Sequence, residues 1–115
     1  MTDQIDADDV SPDQVFEMMP RLLDADKAGS TDATILFDLS GEGGGKWWIK
    51  VAGGKAEGGK GDAESPSLTL SADARDYVKI ALGKLDGTSA FMQGKLRVKG
   101  DMGLAMRMQT MFKRP

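Results

Sequence analysis

The strongest constraint on this 115-residue chain comes from residues 90–106, where the apolar period changes partway along. In residues 95–99 apolar and basic side chains alternate, as they do in a half-buried β-strand. The apolar residues that follow recur at helical spacing instead. Gly94 and Gly100 bracket the alternating segment where the backbone has to turn, and Asp101 stands where an N-cap side chain accepts amide hydrogen bonds. The stretch therefore predicts a strand that leads directly into an apolar helix.

Composition removes most catalytic possibilities. The sequence contains no cysteine and no histidine, which excludes disulfides, thiol nucleophiles, imidazole metal sites and a Ser-His-Asp triad. The formal net charge of −3 argues against generic nucleic-acid binding. No apolar run approaches the length of a membrane span, and neither end resembles a secretory signal or a Ser-Lys-Leu-type peroxisomal address. We therefore expect a cytoplasmic protein that is not an enzyme and uses no cofactor or metal.

Period and turn signals divide the chain into an acidic N-terminus, residues 1–10, which we expect to be flexible, and one domain, residues 11–115. The domain opens on a capping-box pattern at Ser11 and Gln14, which predicts a helix that Pro20 should kink or split. Three antiparallel strands, a fourth strand, two helices, a fifth strand and a last helix follow. The sequence thus predicts an α+β fold whose five-stranded, mainly antiparallel sheet carries its helices on one face.

The glycine-rich run at residues 54–61 partly matches a nucleotide-binding loop. Residues 54–60 fit the pattern Gly-x-x-x-x-Gly-Lys, but Gly61 follows where the metal-binding Ser or Thr is needed, and no helix signal comes next. We therefore interpret these glycines as hairpin turns.

Most of the methionines fall in the first and last predicted helices. They are Met18, Met19, Met102, Met106, Met108 and Met111. Unbranched thioether side chains adapt to flexible apolar ligands, but they also fill irregular cores. The apolar residues of the last helix spread over more than one stripe, so one flank should meet a subunit partner, a lipid or a groove ligand besides the sheet.

The stretch from Ala90 to Met106 resembles, nearly residue for residue, the run Ala-Phe-x-Gln-Gly-Lys-Leu-x-x-x-Gly-(Asn/Asp)-Met-Gly-Leu-Ala-Met of the sterol carrier protein-2 (SCP2) family. As a looser pattern the resemblance extends from about Phe16 to Phe112. It implies an SCP2-like sheet whose helices enclose an apolar tunnel that binds fatty acids, fatty acyl-CoAs or sterols. The chain differs from that family in its acidic N-terminal extension and in lacking the peroxisomal tail.

The resemblance leads us to expect a soluble lipid carrier that reversibly binds a long-chain lipid and transfers it. The residues expected to contact the lipid are Phe16, Met19, Phe37, Trp47, Ile49, Phe91, Met92, Gln93, Leu104, Met108, Gln109, Met111 and Phe112. Two of them, Gln93 and Gln109, are the uncharged side chains best placed to hydrogen-bond a headgroup, although Gln93 fits a turn-stabilising role equally well.

The basic side chains Lys95, Arg97 and Lys99 lie in a segment, residues 84–115, that holds seven bases against two acids. They are expected to contact an anionic membrane surface or a lipid headgroup, and the alternative for them is a solvated strand face. The alternative for the whole chain is a non-catalytic interaction or accessory module with a filled core, which serves a partner protein or a lipid enzyme.

Overall fold

The structure, a computed structural model, describes residues 10–112 except for the side chain of Gln109. The predicted N-terminal segment therefore lies, apart from Val10, outside the described residues. The helices are α1 (Pro12–Met18), α2 (Ala25–Ala28), α3 (Ala74–Ala81), α4 (Gly87–Met92) and α5 (Met102–Met111), and a 3₁₀ helix spans Met19–Leu22. The strands are β1 (Ala33–Ser40), β2 (Gly45–Ala52), β3 (Lys55–Lys60), β4 (Leu68–Asp73) and β5 (Leu96–Gly100).

Helix α1 begins and ends where its local sequence requires. The amide of Gln14 donates to Oγ of Ser11 at 3.3 Å, and the amide of Ser11 donates to Oε1 of Gln14 at 2.8 Å, so the predicted capping box is present. The predicted split also occurs, because Pro20 lies in the short 3₁₀ helix that continues α1. Proline has no amide hydrogen and therefore cannot continue the α-helical hydrogen bonds.

The five strands form one sheet in the order β3-β2-β1-β4-β5. Three neighbouring pairs are antiparallel, while β1 and β4 run parallel, so the sheet is mixed. The predicted α+β class and the mainly antiparallel character are confirmed. The parallel pair arises because the chain leaves β3 at one edge, passes β2 and β1, and enters β4 on the far side of β1.

Alternation along the strands separates a helix-covered face from an open face. On the covered face, Ile35, Phe37, Ile49 and Leu68 are fully or almost fully buried. On the open face, the indole of Trp48 lies across its register partner Gly59, at which an added Cβ would be 2.8 Å from Cζ2 of the indole. Trp48 is half-buried, so its side chain covers the outer side of the sheet.

Candidate functional site

A cavity of about 320 Å³ lies between the sheet and its helices. Its walls come from α1, the 3₁₀ helix, α3, α4 and α5 and from the inward side chains of β4 and β5. Among the described residues, the lining positions without an aliphatic, thioether or phenyl side chain are Tyr77, Asp86, Gly87 and Thr88. The volume falls at the lower end of the range for small-molecule sites, and the lining is of the apolar kind that such sites have.

The cavity has a buried end and a mouth. Val15, Met19, Leu70, Tyr77 and Met108 are lining residues that are buried. At the mouth the lining residues Asp86 and Thr88 are exposed. The exposed large apolar side chains of the described chain are Phe91 (44%), Met92 (80%), Met102 (47%) and Met106 (71%), and all four lie on α4 and α5. Three of them, Phe91, Met102 and Met106, also line the cavity, which therefore opens beside these two helices with apolar side chains at its opening.

Two glycines and one N-cap residue within residues 90–106 determine how β5 connects to the helices at the mouth, α4 and α5. Gly94 and Gly100 have φ values of 77° and 108°, which L-residues with a Cβ rarely adopt. A Cβ at Gly100 would lie 2.5 Å from the carbonyl oxygen of Ser67, so glycine allows β5 to end against β4. Asp101 then caps α5 by accepting from the amide of Leu104 at 3.0 Å. The predicted strand-to-helix connection is present, and it lays α5 along the cavity.

Strand β5 divides its side chains between the cavity and the open face of the sheet. Leu96 and Val98 line the cavity, and the alternating residues Arg97 and Lys99 lie on the opposite face. Lys95, which precedes the strand, is exposed and is also absent from the lining. These three bases are therefore not grouped with the cavity, and their contact with a membrane stays a prediction.

Four of the predicted lipid-contacting residues line the cavity: Met19, Phe91, Met108 and Phe112. Six lie in the packed core away from it: Phe16, Phe37, Trp47, Ile49, Leu104 and Met111. Met92 and Gln93 are exposed and do not belong to the lining. The side chain of Gln109 lies outside the described part of the structure.

An aromatic cluster explains why several predicted residues miss the cavity. The ring of Phe16 stacks on Trp47 at 5.0 Å and on Tyr77 at 5.7 Å between centroids, and it lies 4.8 Å from the ring of Phe37. The indole of Trp47 donates from Nε1 to Oδ1 of Asp13 at 3.0 Å. These contacts fix α1 on the sheet and use the aromatic surfaces for packing.

The sequence analysis did not identify part of the cavity wall. The missed lining residues include Leu70, Tyr77 and residues 80–82, which lie at the C-terminal end of α3. The apolar side of this helix is visible in the sequence, but the pattern alone does not separate a cavity wall from a core face. Tyr77 is the most informative of these residues. Its hydroxyl is buried and donates to Sδ of Met19 at 3.9 Å, and burial raises its pKa above the ordinary value of 10.0. It therefore remains a neutral hydrogen-bond donor whose acceptor is a weak one.

Residues 10–112 offer neither a metal site built from acidic side chains nor a helix that could span a membrane. No group of three or more acidic side chains is arranged to hold a metal ion there. In the same residues, no helix has both the length and the apolar character needed to cross a membrane.

Comparison with known proteins gives consistent results. The model of the SCP-2 sterol transfer family matches residues 13–113. Hydroxysteroid dehydrogenase-like protein 2 of Xenopus laevis is 36% identical over 108 residues, which make up 92% of this chain and 26% of that protein. The chain thus spans about a quarter of the length of the curated relatives that it matches.

Several solved structures share the fold, and two of them illustrate its different settings. One is a double mutant of the sec-alkyl sulfatase PisA1 from Pseudomonas sp., with a TM-score of 0.82 and 21% identity over 93% of this chain and 17% of that one. The other is palmitated SCP2L2 from Aedes aegypti, with a TM-score of 0.73 and 20% identity over 88% of this chain and 93% of that one.

Proposed function

Since the chain belongs to the SCP-2 sterol transfer family, we propose that it is a non-catalytic carrier that reversibly binds one long-chain lipid and transfers it. The observation that carries this proposal is the apolar cavity of about 320 Å³, which opens beside two helices that carry the exposed apolar lining residues Phe91, Met102 and Met106. The candidate cargo is a fatty acid, a fatty acyl-CoA or a sterol. Met19, Phe91, Met108 and Phe112 are the predicted contacts that also line the cavity.

Burial of an alkyl chain is sufficient to drive binding without any reaction. At about 0.8 kcal/mol per methylene, a sixteen-carbon chain would gain about 12 kcal/mol gross on leaving water. Association and the ordering of the chain consume several kcal/mol of this gain. A micromolar dissociation constant, which corresponds to about −8 kcal/mol, is therefore within reach.

Transfer requires contact between the mouth and a bilayer. Phe91, Met102 and Met106 stay exposed and apolar at the opening, and Met92 is exposed on the same helix as Phe91, which supports a contact of this kind. We also propose that the bases Lys95, Arg97 and Lys99 draw the protein towards anionic surfaces by long-range attraction. The cytoplasmic location expected from the sequence remains a prediction.

The proposal is tested by titrating the full chain with a fluorescent long-chain fatty acid and with a fluorescent sterol. Saturable binding at one site, displaced by the unlabelled lipid and without chemical change in the probe, is expected. If no fatty acid, acyl-CoA or sterol binds below about 100 μM, which corresponds to about −5.5 kcal/mol, the chain is not a lipid carrier.

A second candidate function is an accessory module that serves a separate catalyst. The observation that favours it is the small share of its relatives that the chain covers, 26% of a protein named as hydroxysteroid dehydrogenase-like and 17% of a sulfatase. This function predicts that lipid bound to the chain reaches a partner enzyme faster than lipid in buffer does. Equal turnover with and without the chain would exclude that role.

A further inference from the structure

The charges around the cavity are unevenly distributed, and this affects which headgroup fits. Within the described residues, no lysine or arginine lines the cavity, and the single charged lining residue is Asp86 at the mouth. Lys84, the base nearest to it in sequence, is exposed and does not belong to the lining. The bases of β5 lie on the opposite face of the sheet. An anionic headgroup that enters this cavity therefore meets no lining side chain of opposite charge.

Neither end of the cavity accommodates an anion well. At the buried end an ionised carboxylate or phosphate would lose its hydration among apolar side chains, which is costly without a charged partner. At the mouth it would stay hydrated but would lie beside the carboxylate of Asp86, where like charges repel. A cationic or neutral headgroup at the mouth meets no such repulsion.

A neutral hydroxyl fits both ends. At the mouth it can donate to Asp86, of which Oδ2 already accepts from the amide of Ser89 at 2.9 Å. At the buried end it can accept from Tyr77, a lining residue only 5% exposed whose hydroxyl has the thioether of Met19 as its acceptor at 3.9 Å. An oxygen is a stronger acceptor than thioether sulfur, so a ligand oxygen that reaches Tyr77 would improve this hydrogen bond.

We propose that the cavity selects its lipid by headgroup charge, that it takes neutral lipids bearing a hydroxyl group in preference to carboxylate or phosphate lipids, and that Asp86 sets this preference. The inference rests on the proposed carrier function and narrows its cargo. It assigns Asp86 two roles, the N-cap of α4 and the specificity-determining residue of the mouth.

Asp86→Asn separates these two roles. Asparagine caps a helix about as well as aspartate, so the variant should keep α4 in place while removing the charge. Asp73→Asn is the matched control, because Asp73 also caps a helix, accepting from Arg75 and Asp76, but does not line the cavity. Circular dichroism and melting temperature of both variants should match those of the unmodified chain.

The experiment measures displacement of the neutral dye Nile red by three amphiphiles that share a dodecyl chain: dodecanol, dodecanoate and dodecyltrimethylammonium. In the unmodified protein, dodecanol and the ammonium probe should displace the dye at concentrations at least about tenfold below that of dodecanoate, about 1.4 kcal/mol. In Asp86→Asn, dodecanoate should gain about fivefold and the ammonium probe should lose affinity, while dodecanol changes by less than about twofold. Asp73→Asn should leave all three values unchanged.

The possible results distinguish failure of the headgroup selection from failure of the carrier function. If none of the three amphiphiles displaces the dye, the carrier function itself fails. If dodecanoate binds as tightly as dodecanol, the carrier function stands and selection by charge is wrong. If the preference for dodecanol over dodecanoate is present in the unmodified protein and persists in Asp86→Asn, Asp86 does not set it.

Discussion

Met108 and Met111 lie three residues apart on α5 and have different neighbours. Met108 lines the cavity, whereas Met111 is fully buried in the core and is absent from the lining. In Met108→Trp the larger side chain should occupy the cavity, lowering lipid affinity at least about tenfold while the melting temperature holds or rises. Met111→Trp should instead overpack the core and cost about 1–3 kcal/mol of stability. Calorimetry and probe titration of both variants decide the matter, and a loss of stability in Met108→Trp with unchanged affinity would place it in a filled core.

The buried hydroxyl of Tyr77 predicts how the free energy of unfolding changes at alkaline pH. Because its folded-state pKa lies above the ordinary value of 10.0, the unfolded chain loses the phenolic proton first as the pH rises. The free energy of unfolding should therefore fall above pH 10.0 by about 1.4 kcal/mol per pH unit from this residue. Tyr77 is the single tyrosine, so tyrosinate absorbance reports on it alone.

The control for this titration is Tyr77→Phe, which should lose the part of the alkaline destabilisation that comes from the phenol. Tyrosinate absorbance in the unmodified protein should appear together with unfolding. Ionisation at the ordinary pKa in a chain that is still folded would mean that the hydroxyl reaches water.

For individual residues, the sequence predicts whether a side chain is apolar and faces inward better than it predicts whether that side chain contacts the cavity or the packed core. Met108 and Met111 share the apolar period of one helix, and Phe16 and Phe91 are both phenylalanines near predicted helices. Whether each contacts a cavity or a core depends on where other elements pack, which a one-dimensional period does not encode. Lys95, Arg97 and Lys99 show the opposite case, because strand alternation alone puts them on the face opposite Leu96 and Val98.

Among the elements, the two glycines at the ends of β5 give a sharp test: Gly94 just precedes the strand and Gly100 ends it. Both Gly94 and Gly100 have positive φ, so Gly94→Ala, with no atom near the new Cβ, should cost only backbone strain, about 1–2 kcal/mol. Gly100→Ala should cost clearly more, since its Cβ would lie 2.5 Å from the carbonyl oxygen of Ser67, which accepts from the amide of Asp101 at 3.0 Å. Chemical denaturation of the two variants measures the difference. Equal losses would mean that β4 and β5 can separate without cost.

The elements themselves were largely predictable from local signals. The capping box of α1, the split at Pro20 and the β5-to-α5 connection follow from residues within a few positions of one another. The parallel pairing of β1 and β4 did not follow, because these strands are joined through β2, β3 and a crossing segment, and no local pattern states on which side of β1 the chain returns. The mouth between α4 and α5 depends on the same long-range arrangement.

For the whole molecule, the exposed apolar side chains of α4 and α5 predict that lipid leaves the cavity when this part of the surface contacts a bilayer. Met92 is exposed and does not line the cavity, so Met92→Gln should leave affinity in solution unchanged. It should slow transfer to vesicles several-fold, because full burial of a methionine side chain contributes about 1.5–3 kcal/mol. Stopped-flow transfer of a fluorescent lipid to anionic vesicles measures the rate.

The companion variant for this experiment is Arg97→Gln with Lys99→Gln, which alters the open face of the sheet and leaves the mouth intact. It should reduce the preference for anionic over neutral vesicles and weaken the salt dependence of transfer. If it abolishes transfer while Met92→Gln transfers normally, contact with the membrane occurs through the sheet and not through the mouth.

A carrier of this kind should hold one lipid in the cavity beneath α5, and native mass spectrometry of the full chain counts the bound lipids. The protein is extracted with organic solvent, refolded and titrated with a long-chain lipid. We expect a single adduct with one lipid per chain, strongly reduced in Met108→Trp. The absence of any adduct at about 100 μM lipid, about −5.5 kcal/mol, or an adduct of equal intensity in Met108→Trp, would contradict it.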